Sequence, residues 1–387
     1  MYDVILFENS WESSNHLLDL KIIAQMLQSQ GLKVAILNIY GEYTPKYFED
    51  IKILDISTTH ICPRRPRPYF VHALSFLRKQ NLFFREVLAQ IRDMANVFYF
   101  GSYNYYISTE LLKFDKPFFL WGLRSFTFEI KWRKFIRNPF ILQKLYFKNL
   151  MIKNPNAHFF VSNEIIKREF EQRGMPAEKM VLRPERLSTG QESQRYDLLS
   201  KKNRFLTIGW IRDCKRVEMT ISAFKQIQTN QNELYIVGRS NDDYEAFLKS
   251  RYINNHNILR IRERLSDHDF NNHFAMAHFV CFADFSDPKN TITNGTFIEA
   301  LLHYRPVIAP NYEPFASIIN KYHVGILYDP KDLNSYINAM REIQERGTQS
   351  FEESISEFLK TINYNNAAKK LKEEISIILK MSNNVTD

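Results

Sequence analysis

Residues 293–310 read Thr-Asn-Gly-Thr-Phe-Ile-Glu-Ala-Leu-Leu-His-Tyr-Arg-Pro-Val-Ile-Ala-Pro. The small polar residues Thr293 to Thr296 signal a turn, and the apolar spacing after them predicts a helix with Glu299 in its first turn. Arg305-Pro306 is expected to stop that helix, because proline lacks the amide hydrogen and biases the residue before it towards extended backbone. Val307-Ile308-Ala309 then reads as a short buried strand. A turn that opens a helix presents unbonded amides and a partial positive charge, which is where phosphate groups settle. A carboxylate one turn in accepts hydroxyls from whatever carries those phosphates.

The same alternation of short β-rich runs and longer helical patterns fills the chain. In the second half strands are expected at 205–208, 233–237, 258–261, 278–282, 307–309 and 325–328. In the first half they are expected at 3–7, 34–39, 53–56, 97–100, 118–121 and 158–161, with helices at 17–30, 69–79, 81–94 and 163–173. Gly174-Met-Pro176 ends the last of these with a glycine stop followed by proline. Strands alternating with helices imply parallel sheets covered on both faces. Between Arg183 and Asn203 the composition turns polar, which marks a linker. A length of 387 residues suits two domains.

The strand-to-turn segments of the second half carry a resemblance. Ile208-Gly209-Trp210-Ile211-Arg212-Asp213-Cys214-Lys215, Leu234-Tyr-Ile-Val-Gly238-Arg239-Ser240 and the stretch 293–310 resemble the nucleotide-sugar site of the group-1 (family 4-like) glycosyltransferases of the GT-B fold. The resemblance implies an α/β chain of two Rossmann-like domains facing a central cleft, with a C-terminal helix crossing back to the first. Its boundaries would be 1–190 for the acceptor-binding domain, 191–350 for the donor-binding domain and 351–387 for the crossover helix and tail. In the family the first turn reads Val-Gly-Arg, four or five residues, then Lys-Gly. Gly209 and Lys215 match, Trp210 stands where the arginine usually is, and Arg216 replaces the final glycine. The resemblance places the donor diphosphate against Gly209, Arg212, Lys215, Gly238 and the backbone of Asn294, Gly295 and Thr296, and the donor ribose on Glu299. The family's other glutamate, eight places earlier, is Thr291 here, which leaves retaining or inverting chemistry open.

The cations have a chemical reason, since a leaving nucleoside diphosphate gathers negative charge as the glycosidic bond breaks. An inverting transfer also needs a base for the acceptor hydroxyl. Glu8, Glu12, His16, Arg124 and Glu129 are candidates by position, with Glu8, Glu12 and Glu129 the catalytic carboxylates chosen. Arg260, Arg262 and Arg264 alternate along a strand and loop that in the family lies beside the base, yet their spacing predicts the solvent face of an edge strand. No metal and no cofactor is expected beyond the nucleoside diphosphate sugar as co-substrate, and there is no Asp-x-Asp pair at a comparable site.

Charge speaks to the partner. The net charge of +9 implies something anionic. From Ile56 to Arg85 there are six Lys/Arg and no acid, and from Ile130 to Asn163 seven and again no acid. Lys131-Trp132-Arg133-Lys134-Phe135-Ile136-Arg137 suits an anionic membrane surface, with aromatic side chains entering the interface. No signature of a nucleic-acid-binding fold is present, so nucleic acid is not the expected partner. The acceptor implied is a glycan, lipid-linked, for envelope polysaccharide. No apolar run reaches the ~18 residues of a bilayer span, and Met-Tyr-Asp-Val-Ile-Leu-Phe-Glu lacks a basic leader. Cys62, Cys214 and Cys281 are isolated and odd in number, which fits a reducing cytoplasm. The expected location is cytoplasmic, peripheral on the inner face of the plasma membrane. Two rivals stand beside this reading: a GT-B nucleotide-sugar epimerase, and a non-catalytic binding protein that keeps the fold.

Overall fold

In β1 (Tyr2–Phe7), Val4, Ile5, Leu6 and Phe7 are all buried although successive side chains point to opposite faces. Only a strand covered on both sides has that pattern, and covering both sides takes helices. The computed structural model describes residues 1–7, 14–39, 48, 50–60, 70–101, 108–122, 154–172, 174–183, 187–188, 202–253, 256–283 and 295–383. The chain forms two compact units, 1–185 with 364–387, and 186–363.

The first unit follows β1 with α1 (Ser14–Ser29), β2 (Val34–Asn38), β3 (Lys52–Asp55), α2 (Phe70–Ile91), β4 (Ala95–Phe100), α3 (Thr109–Leu112), β5 (Phe118–Gly122), β6 (Ala157–Val161), α4 (Glu164–Glu171) and β7 (Met180–Leu182). Its sheet runs β3-β2-β1-β4-β5-β6-β7, parallel throughout. The core is built of aromatic rings: Phe100 lies 6.2 Å from Phe7 and 5.9 Å from both Phe84 and Phe118. Asn163 caps α4 by accepting from the Ile166 amide, and Gly174, at φ +82°, turns the chain out of it. Two details differ from the expected elements. The separate helices at 69–79 and 81–94 are one helix, α2, because nothing between them breaks it, and Gln80 at the expected gap is buried. The three-residue β7 was not foreseen, being too short to show alternation.

The second unit contains β8 (Asn203–Ile208), α5 (Val217–Ile227), β9 (Asn232–Val237), α6 (Asp242–Arg251), β10 (Ile258–Ile261), α7 (Asp267–Met276), β11 (Phe279–Cys281), α8 (Gly295–Leu302), β12 (Val307–Pro310), α9 (Phe315–Tyr322), β13 (Gly325–Tyr328), α10 (Leu333–Arg346) and α11 (Glu352–Thr361). Its sheet, β10-β9-β8-β11-β12-β13, is again parallel, with the strand order of a dinucleotide-binding fold. Where 351 was expected to begin the crossover, α11 packs inside the second unit, and α12 (Tyr364–Asn383) is the element that belongs to the first. There it lies along α1, and the Lys372 ammonium donates to the Gln30 carbonyl at 2.8 Å. Among the described residues no helix is long and apolar enough to cross a membrane.

His158 sits buried in β6 beside the Phe119 ring, with no hydrogen bond to Nδ1 among the described residues. Burial, helped by the nearby Lys179 ammonium, lowers its pKa to about 4. A base whose folded pKa lies below its unfolded value of 6.5 favours unfolding as it takes up a proton. Stability is therefore expected to fall as pH drops from 6.5 towards 4, by up to about 3 kcal/mol from this group. Urea unfolding of wild type and His158→Phe across that range checks it: the variant is expected to lose less.

Candidate functional site

In an open parallel sheet, ligands lie outside the carboxyl ends of the strands where the strand order reverses. In the second unit that point falls between β8 and β11, neighbours although not consecutive. Three chain segments come together around it: the turn after β8, the turn after β9, and the start of α8.

The turn after β8 begins at Gly209, whose φ of +112° is open to glycine and strained for other residues. A Cβ at Gly209 would lie 3.5 Å from Lys215 Nζ and 3.6 Å from Thr296 Oγ1. The ammonium, the hydroxyl and the bare backbone therefore meet at one point. Thr296 is the second residue of α8, so the first amides of that helix, which lack carbonyl partners within the helix, belong to the same neighbourhood. Lys215 is carried there by a short 3-10 turn, Asp213–Lys215, its amide donating to the Arg212 carbonyl at 2.9 Å. Arg216 follows at φ +41° and ψ +45°, the left-handed conformation that glycine takes at little cost. Its Nη1 donates to the Pro330 carbonyl at 3.1 Å, one of the contacts that hold the side chain while the backbone turns.

The turn after β9 is pressed against the first. Gly238 is buried at φ +124°, and a Cβ there would stand 1.9 Å from the Gly209 carbonyl oxygen. The Gly209 amide donates to the Val237 carbonyl at 3.0 Å and the Ile211 amide to the Arg239 carbonyl at 2.7 Å. Gly238 thus shapes the site by leaving room for Gly209.

The predicted residues separate clearly. Gly209, Lys215, Gly295 and Thr296 gather at the switch point. Arg212 is exposed, with its guanidinium 4.7 Å from the centre of the Trp210 ring, and Trp210 is itself 60% exposed. Indole and cation form one exposed ledge beside the turn after β8. Glu299, half-buried, is the fifth residue of α8 rather than a first-turn residue, since the helix starts at Gly295. The helix also ends earlier than proline requires: Tyr304, at φ +56°, turns the chain after Leu302. Arg305 is buried, donating to the Phe274 and Ala275 carbonyls at 3.0 and 2.9 Å, so it caps α7. Arg260 also departs from expectation. β10 is an edge strand, but the Arg260 side chain is buried against Glu245, 2.8 Å away, while Arg262 and Arg264 face out. Burial opposes the charge on Glu245, yet the Ser240 hydroxyl and the Arg260 guanidinium hold its carboxyl below the ordinary value. No periodicity announces these buried arginines, since their partners are carbonyls and a carboxylate distant in sequence. Glu8, Glu12, Arg124, Glu129, Thr291 and Asn294 lie outside the described residues, as do the side chain of His16 and residues 131–137.

Residues 202–346 match the family Glycosyl transferases group 1, so the second unit carries a domain of that family. Over its length the chain has the GT-B fold. It superposes on Anabaena Alr3699/HepE in complex with UDP with a TM-score of 0.70 at 11% identity, covering 97% of this chain and 99% of that one. For a glycosyltransferase from Rickettsia africae ESF-5 the TM-score is 0.69 at 13% identity, covering 98% and 99%. For WaaG, a glycosyltransferase involved in lipopolysaccharide biosynthesis, it is 0.62 at 12%, covering 97% and 99%. At these identities the likeness is one of fold. No curated protein sequence matches the chain.

The Gly209–Gly238 contact yields a direct test. Gly238→Ala combines a left-handed backbone with a carbon inside a carbonyl's radius, and is expected to destabilise by about 2 kcal/mol or more. Thermal unfolding should show a lower midpoint, and what remains folded should have a displaced turn after β8. A midpoint equal to wild type would mean the two turns are not held together as described.

Proposed function

We propose that this protein is a glycosyltransferase that moves a sugar from a nucleoside diphosphate sugar to a glycan acceptor. The observation that carries the reading is the meeting of Lys215 Nζ, Thr296 Oγ1 and the side-chain-free Gly209 at the switch point of a group-1 domain. A diphosphate seated there receives a cation from Lys215, a hydroxyl from Thr296 and amides from the start of α8. As the glycosidic bond breaks, charge builds on the departing diphosphate, and groups already fixed around it favour the transition state over the ground state. Glu299, one turn further along α8, is the group assigned to the ribose hydroxyls. Arg212, stacked on Trp210, supplies the second cation if it swings from the indole to the diphosphate. Glu8, Glu12 and Glu129 remain the candidates for the base in the first unit.

Lys215→Ala is expected to lower kcat more than donor affinity, by about tenfold or more, because the charge it meets grows towards the transition state. Glu299→Ala is expected to weaken donor binding by about ten- to a hundredfold, the loss of one charge-assisted hydrogen bond at about 1.5–3 kcal/mol. Thermal shift with UDP-, GDP- and ADP-linked sugars, followed by turnover with and without a glycan acceptor, reads both. Donor binding unchanged in both variants would remove the site assignment. Turnover without any acceptor would favour a nucleotide-sugar epimerase, and binding without turnover a non-catalytic protein.

The acceptor we infer is lipid-linked and belongs to envelope polysaccharide, with the protein working from the cytoplasmic face of a membrane. The acid-free stretches 56–85 and 130–163 support this, and WaaG, of the same fold, takes part in lipopolysaccharide biosynthesis. Each Lys or Arg near an anionic surface contributes about 1 kcal/mol, screened by salt over about 8–10 Å. Replacing Lys131, Arg133, Lys134 and Arg137 by Gln is expected to abolish co-sedimentation with phosphatidylglycerol vesicles while sparing donor binding. Binding to oligonucleotides with none to vesicles would overturn the lipid-linked acceptor.

A further inference from the structure

The pair Arg260–Glu245 lies in the second unit, away from the atoms that touch a diphosphate in the reading above, yet it is built with more care than an edge strand needs. The guanidinium uses all three nitrogens. Nε and Nη2 donate to Glu245 Oε2 at 3.1 and 2.8 Å, Nη2 also to Ser240 Oγ at 3.1 Å, and Nη1 to the carbonyls of Ile236 and Ile261 at 3.2 and 2.5 Å. Ser240 Oγ in turn donates to Glu245 Oε2 at 2.5 Å. Both charged side chains are almost fully buried, at 4% and 3% exposure. Glu245 Oε1 accepts no hydrogen bond among the described residues, and the Lys249 ammonium lies 3.7 Å from it.

A buried ion pair is a poor source of stability, because removing two charges from water costs about as much as their attraction returns. What it does supply is geometry. Here every partner of Arg260 except the carboxylate belongs to one small region, the ends of β9 and β10 and the turn that follows β9. Arg262 adds a second clamp, Nη2 to the Ser240 carbonyl at 3.1 Å, and the Gly238 amide donates to the Ile261 carbonyl at 2.8 Å. The clamped turn is the one that Gly209 abuts, and Ile211 pairs with Ser240 across the gap as an isolated parallel bridge.

From this chain of contacts we propose that Arg260 and Glu245 are positioning residues for the phosphate turn. They hold Gly238-Arg239-Ser240 rigid, and that turn sets where Gly209, Trp210 and Ile211 lie and hence what Lys215 meets. The inference rests on the donor-site reading only for its consequence in catalysis. The mechanical part, that the buried pair fixes the turn after β8, stands on the hydrogen bonds alone.

The experiment separates the two. In the double variant Arg260→Met with Glu245→Met, both charges leave together, so no unpaired charge stays buried and the unit is expected to remain folded. Amide hydrogen exchange is then followed at Gly209 and Ile211, which bond Val237 at the end of β9 and Arg239 in the turn after it, and at Leu206 inside β8 as a control. The expected result is exchange faster by about tenfold or more at 209 and 211 with Leu206 unchanged. UDP affinity by calorimetry is expected to fall alongside it. If exchange at 209 and 211 is unchanged in the folded variant, or rises equally at Leu206, the pair is merely structural and the proposal is overturned. If wild type binds no UDP, the donor reading for that nucleotide fails while the exchange result still decides the positioning role. Should the double variant not fold, Arg260→Lys replaces it. Lysine keeps the charge but not the fork, so the same local acceleration is expected and its absence is again decisive.

Discussion

Two strand ends in the second unit come so close that Gly238 has no room for a Cβ, while Gly209, at φ +112°, is strained for any side chain. Gly238 has its backbone where a Cβ would overlap the Gly209 carbonyl, and Gly209 has its open face towards Lys215 and Thr296. Much of the site's form follows from that contact. The turn after β8 cannot lift away without losing the hydrogen bonds from Gly209 and Ile211 to the end of β9 and the turn after it. A ligand oxygen arriving above Gly209 meets backbone, ammonium and hydroxyl with no methyl group between. The sheet order provides the location, since β8 and β11 diverge there, and the glycines provide the clearance.

Across the second unit arginine is used as mortar. Arg305 ties off the end of α7 with two bonds to its last carbonyls, Arg216 links a left-handed turn to Pro330, and Arg260 gathers three chain segments. Each guanidinium donates to backbone carbonyls of another segment, through a planar fork that lysine could not reproduce. The price appears in the electrostatics: burial lowers the pKa of Arg305 to about 10, although Glu352 opposes the shift. A high count of basic residues is thus an imperfect guide to a charged surface, because some of them are consumed inside.

Hydrophobic runs and glycine stops made the architecture legible. The expected strands at 3–7, 34–39, 118–121, 205–208, 233–237, 258–261 and 325–328 have ends within two residues of the observed ones, because buried parallel strands are continuous apolar runs and nothing competes with that signal. The expected break at Gln80 shows where periodicity misleads: a polar residue at a helix midpoint looks like an interruption until tertiary packing buries it. Gly209, Lys215 and Thr296 could be picked out because each sits at a fixed offset from a strand or helix end. Arg260 and Glu245 could not, since what buries them is a fold-dependent encounter between residues fifteen apart on different elements. Glu299, expected in the first turn of its helix, is the fifth residue of α8, the kind of offset helix boundaries produce.

One feature of the first unit concerns the order in which the chain is made. Its α12 lies along α1, with Lys372 on the Gln30 carbonyl, yet α12 follows the whole of the second unit in sequence. During synthesis from the N-terminus, the second unit has all of its own residues before the first has its last helix. The domain that begins first is therefore completed second, and until then the apolar face formed by Leu371, Ile375 and Ile378 has yet to reach it. Nascent chains of this protein pass through a stage at which the later domain is whole and the earlier one still open along α1.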